Sequence, residues 1–168
     1  AVRRFILPRA EYSLMSGICP KESIKDLDTK IRGILGRRIR TAGIPKDFFY
    51  ANWRDGGLSL PKMTERQAEL TLNTFVRLYD SSEELTRKIF RHCVTDERIK
   101  RGLNRDESSE LLQIELDENG EIPQSRGTNS ILIRAIKAME SLDVRLYRRD
   151  HSFYVKTRSE EGWEETKI

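Results

Sequence analysis

His92 and Cys93 are adjacent, and a cysteine beside an imidazole is the pairing that a thiolate nucleophile and its base would need. Neighbours on a helix point about 100° apart, so the two side chains cannot meet, and the pair is not read as a catalytic dyad. Cys19 is remote in sequence, neither cysteine belongs to a CxxC, and the only histidines, His92 and His151, complete no zinc-ligand spacing. The acidic pairs Glu83-Glu84 and Glu164-Glu165 read as solvated charge. The chain carries no phosphate-cradling GxxxxGK[ST], no GxSxG elbow and no HExxH. The residues therefore predict no catalytic group, no metal ligand, no cofactor and no small-molecule substrate.

The residues that do suggest chemistry are cations. Residues 1–63 hold thirteen Lys or Arg against six Asp or Glu, a net +7, whereas residues 64–168 hold eighteen against twenty-one, a net −3. A local excess of this kind draws polyanions to one surface, although solvated helix faces would give the same composition. Six of these cations, Lys25, Lys30, Arg32, Arg37, Arg38 and Arg40, fall in one segment whose apolar residues Ile24, Leu27, Ile31, Ile34, Leu35 and Ile39 recur at steps of three and four. That spacing predicts a helix over 23–41, oily on one side and cationic on the other. Gly33 and Gly36 inside it each cost about 1 kcal/mol relative to Ala, which implies close approach of a packed helix or of a phosphate strand.

The elements around this helix follow from punctuation. A short helix is expected from near Pro8 to Gly17, with Cys19-Pro20 breaking the chain after it. Beyond Gly43-Ile44-Pro45 lie the aromatics Phe48, Phe49, Tyr50 and Trp53, with Arg54, and then Gly56-Gly57-Leu58-Ser59-Leu60-Pro61. Paired glycines and a proline predict an ordered loop, which the aromatics lock to the core or use as a base-stacking surface. Thr64-x-x-Gln67 has capping-box form and opens a helix to about Tyr79, with Leu70, Leu72, Phe75, Val76 and Leu78 inward. Ser81-x-x-Glu84 opens another carrying Leu85, Ile89 and Phe90, and a further short helix is expected around 96–103. Residues 130–142 have helical spacing, and Val144 to Tyr147 with Phe153 to Val155 read as a hairpin. The expected organisation is a helical domain over 1–103, a linker over 104–128, a helix plus β-hairpin over 129–158, and a frayed acidic tail over 159–168. The fold class is mainly α: a helical bundle followed by a small α+β segment.

The succession Ile6-Leu7-Pro8-Arg9-Ala10-Glu11-Tyr12, Leu27-Asp28-x-x-Ile31-Arg32-x-x-Leu35, Ile44-Pro45, Phe48-Phe49-Tyr50-Ala51 and Gly56-Gly57-Leu58-Ser59-Leu60-Pro61 resembles the segment C-terminal to the palm in non-LTR retrotransposon reverse transcriptases. The likeness is to the site-specific type with a restriction-like endonuclease, and it covers roughly residues 4–100. It implies a thumb followed by a linker, with polymerase aspartates upstream, zinc-binding and endonuclease parts downstream, and Mg used by the parent polymerase, not by this fragment. Ser59 departs from the pattern, where the family more often has a small residue or Gly.

The resemblance implies as partners an RNA/DNA or DNA duplex, template RNA and the parent's palm, in the nucleus. The thiols read as reduced and intracellular, and no membrane partner is expected because no apolar run approaches the about 20 residues a span needs. Gripping would be sequence-independent, with Lys25, Lys30, Arg32, Arg37, Arg38, Arg40 and Arg54 at phosphates. Two other readings stay open. The helix and hairpin after residue 129 have the order of a winged helix with Arg145, Arg148 and Arg149 at its basic tip. Alternatively the helices form a protein-docking scaffold indifferent to nucleic acid.

Overall fold

The structure is a computed structural model and describes residues 7–15, 19–39, 43–100, 130–149, 152–159 and 162–167. Its element order is α1 (Leu7–Met15), α2 (Lys21–Ile39), α3 (Lys46–Tyr50), one 3-10 turn (Trp53–Asp55), α4 (Met63–Tyr79), α5 (Glu84–Lys100), α6 (Ile131–Leu142), β1 (Val144–Arg149), β2 (Ser152–Ser159) and β3 (Gly162–Lys167). The protein is mainly α with one small antiparallel sheet toward its C-terminal end. Two compact units, residues 1–70 and 71–168, divide within α4; the expected linker over 104–128 lies outside the described residues.

In the first unit, Leu14, Ile24, Ile31, Met63 and Leu70 form a buried cluster, with Cys19, Leu27, Leu35 and Leu60 packed against it. Burying a Leu or Ile fully is worth about 1.5–3 kcal/mol each, so α1, α2 and the start of α4 are held by this shared interior. The inward stripe of α2 is Ile24, Leu27, Ile31 and Leu35. Ile34 and Ile39, expected in the same stripe, are 48% and 41% exposed, because they lie on the flanks of a narrower contact. Arg66 on α4 donates to Glu11 on α1 at 2.7 Å and to Glu69 at 2.8 Å, a half-buried clamp across the unit.

The start of α4 is set from a distance. The helix begins at Met63, one residue before the expected Thr64 cap, and the Met63 amide donates to the Asp28 carboxylate of α2 at 3.3 Å. A carboxylate accepting a first-turn amide satisfies an orphan donor and sits at the positive end of the helix dipole.

In the second unit, the ring of Phe75 lies 5.4 Å from Phe90, and Tyr79 lies 5.5 Å from Phe153, tying the later part of α4 to α5 and β2. One continuous α5 runs to Lys100 where two shorter helices were expected. Of the apolar residues that helix was expected to carry, Phe90 is buried, with Val94, while Leu85 and Ile89 are exposed on another side of the helix. Ser130 caps α6 by accepting from the Ile133 amide, and Asp143 ends it in the left-handed conformation. The expected hairpin is β1–β2, paired from Val144↔Thr157 to Arg149↔Ser152. The tail expected to fray instead supplies β3, which pairs with β2 from Ser159↔Gly162 to Tyr154↔Lys167.

Candidate nucleic-acid interface

The aromatic loop is the most tightly determined part of the first unit. The Leu58 amide donates to Phe48 O, Ser59 to Ala51 O and Leu60 to Phe49 O, at 2.8–3.0 Å, so the chain folds back along α3. Asn52 accepts from the Arg54 amide through its side chain and from the Gly57 amide through its carbonyl. Gly56 turns at φ 81°, and a Cβ on Gly57 would overlap the Ala51 carbonyl, so both glycines are required by the geometry. Ser59 is itself left-handed, at φ 48°, where glycine would be cheapest, and its hydroxyl accepts from the Trp53 amide.

The loop separates the aromatics. Phe49 is buried, Phe48 meets its ring edge-on at 5.9 Å, and Tyr50 is half-buried, so these three lock the loop to the core. Only Trp53 faces outward, 69% exposed, with the Arg54 guanidinium 5.7 Å over its ring. The Tyr50 hydroxyl is hydrogen-bonded to Asp28, and burial followed by the Asp28 charge raises its pKa above the ordinary 10.0.

The cations of α2 do not form one rail. At about 100° per residue, Lys25 and Arg32 share one flank, and Lys30 and Arg37 share another about 140° away. Arg32 is half-buried beside the loop, donating to Asp28 O at 3.4 Å and to the Thr29 hydroxyl at 3.1 Å. Lys25, Lys30, Arg37 and Arg38 are exposed, and Arg37 donates to Gly33 O at 3.2 Å. Arg40 lies outside the described residues. Gly36 approaches Phe49, 4.0 Å from where its Cβ would be, but a Cβ on Gly33 would meet nothing. That is an ordinary contact distance, so packing requires neither glycine, and among the described residues the Gly33 face of α2 is open between its cationic flanks.

Among the described residues none of Lys25, Lys30, Arg32, Arg37 and Arg38 is ion-paired. Elsewhere Lys62, Arg66, Lys88, Arg91 and Lys100 each lie within 4 Å of a carboxylate. Arg148 is withdrawn in the same way. It shares Asp80 with Arg91 at 3.2 Å, lies over the Tyr79 and Phe153 rings, and is only 12% exposed, so it cannot serve as a wing tip. Arg149 ends β1 opposite Ser152, and Arg145 is exposed with its guanidinium 4.8 Å over Trp163.

His92 is paired with Asp96 on the α5 surface at 3.6 Å, and Cys93 is exposed. Among the described residues no three His, Cys, Asp or Glu side chains are grouped to hold a metal ion, and no helix is long and apolar enough to cross a membrane. No family model, curated protein or solved structure matches the chain.

Proposed function

We propose that the first unit is a nucleic-acid-gripping module, the thumb of a reverse transcriptase of the non-LTR retrotransposon type, and that it holds the template-primer duplex through phosphate contacts made by α2. What carries the reading is a contrast in ion pairing among the described residues: Lys25, Lys30, Arg32, Arg37 and Arg38 of α2 meet no carboxylate, whereas Arg66 of α4 and Lys88, Arg91 and Lys100 of α5 do. An unpaired surface cation retains its full field for an incoming phosphate, and neutralising phosphates releases counterions, which drives sequence-independent binding.

The mechanism uses both flanks of α2. The Lys30–Arg37 column meets one phosphate strand, the open Gly33 face lets a backbone come close, and Arg38, about 100° round the helix from Arg37, adds charge at its C-terminal end. Lys25 and Arg54 extend the positive field to the loop side. Such contacts carry no base identity, which suits a subdomain that must release and re-engage as a duplex advances. Template RNA, the parent's palm, Mg used by that parent polymerase and a nuclear location belong to the same proposal. Withdrawal of Arg148 argues against the autonomous winged-helix alternative. A protein-docking scaffold would bind its partner undisturbed by heparin.

The reading is tested by adding a short RNA/DNA hybrid to the isotopically labelled chain and mapping which amides shift. Perturbation concentrated at Lys30, Gly33, Arg37 and Arg38 supports it, and perturbation confined to the second unit would defeat it.

A further inference from the structure

The register of the sheet sorts its residues onto two sides. Because successive side chains alternate, Leu146, Arg148 and Phe153 share one side, where Leu146 and Phe153 are buried and Arg148 is held by Asp80. The other side carries Arg145 and Tyr147 from β1, Tyr154 and Lys156 from β2, and Trp163, Glu165 and Lys167 from β3. On it, the rings of Tyr147 and Tyr154 stack across the strands with centroids 5.6 Å apart and planes 19° from parallel. Lys156 stands 5.0 Å over Tyr147, and Arg145 reaches across β2 to Trp163. Arg145, Trp163 and Lys167 are exposed.

We infer that this outer side of the sheet is a binding platform for single-stranded nucleic acid. The exposed Trp163 ring and the half-buried Tyr147 and Tyr154, interleaved with three cations, offer both things such a strand needs: flat surfaces on which unpaired bases stack, and positive charge along the path of the backbone. Arg145 lies directly opposite Lys156, like charges that disfavour a strand pair, and Glu165 opposite Lys156 on β3 offsets part of that cost. An acidic peptide would use the cations and leave the rings without a role; a single strand engages both. The platform lies in the second unit and does not depend on the duplex-gripping role of α2.

The test uses the full chain with Trp53→Phe, which leaves Trp163 as the sole tryptophan, titrated with a mixed-sequence RNA of about twelve nucleotides, within the range one such face accommodates. Binding should quench Trp163 emission. The double variant Arg145→Glu/Lys156→Glu should weaken binding at least about tenfold, and Arg145→Gln/Lys156→Gln, which keeps size and polarity if the reversal misfolds, should fall between. No quenching up to about 100 µM RNA, where even non-specific complexes form, would overturn the inference. Equal binding of poly-glutamate matched in charge would overturn it too, as it would show ion exchange without stacking.

Discussion

Replacing Asp28 by Ala removes two interactions that meet at one carboxylate: the bond from the Met63 amide that starts α4, at 3.3 Å, and the bond from the Tyr50 hydroxyl beneath the aromatic loop. Loss of a helix cap costs about 0.5–2 kcal/mol. Loss of an ordinary hydrogen bond costs about 1 kcal/mol. Ala is the better helix former and returns about 0.5 kcal/mol inside α2. The net destabilisation is then about 1.5 kcal/mol, or a fall in Tm of about 3–6 °C for a chain of this size. Asp26, exposed on the same helix and without these bonds, is the matched control: Asp26→Ala keeps only the gain in propensity and should be neutral or slightly stabilising. Asp28→Asn retains an acceptor oxygen and should lose about half as much as Ala. Thermal melts followed by far-UV circular dichroism measure all three. If Asp28→Ala melts with Asp26→Ala, a cap supplied from another helix is the wrong description of how α4 begins.

Gly57→Ala should destabilise the first unit by at least about 2 kcal/mol, since the new methyl overlaps the Ala51 carbonyl, and urea titration checks it. Gly33→Ala, by contrast, meets nothing and should stabilise α2 by about 1 kcal/mol while weakening duplex binding if a backbone approaches that face. Tyr50 should ionise later than a free tyrosine, because burial and then Asp28 raise its pKa above the ordinary 10.0. A raised folded pKa favours the protonated native state, so this contribution is complete below about pH 10 and is lost as pH rises through the folded value. Absorbance titration near the phenolate band, wild type against Tyr50→Phe, reads the shift directly.

The helices were legible because their boundaries and inward faces are local properties. Pro8, Ser130, the apolar steps of α2 and the Gly56-Gly57 loop each acted within a few residues of where the sequence displays them. What was not legible depends on partners far along the chain. Asp28 is 35 residues from the amide it caps, and Arg148 is 68 from the Asp80 that holds it, so nothing near either residue announces its role. Leu85 and Ile89 satisfy helical periodicity as well as Phe90 and Val94 do, and only the rings of Phe75 and Tyr79 decide that the latter side turns inward. For α2, composition displayed the cations but not their separation onto two flanks, one of them partly taken up by the aromatic loop. The strand around Trp163 was hidden by its acidic residues, and with it the aromatic side of the sheet.

Binding of an RNA/DNA hybrid across a salt series, for the wild-type chain and for Lys30→Glu/Arg37→Glu/Arg38→Glu, addresses the role of α2 most directly. Each phosphate neutralised contributes roughly −0.9 to the slope of log K against log salt on a duplex, so three contacts predict a wild-type slope steeper than about −2. The triple reversal should flatten that slope and lower affinity at least about tenfold, while Lys88→Glu on α5 leaves both unchanged. A slope near zero in the wild type, or equal slopes and affinities in the two chains, would contradict a gripping role for α2.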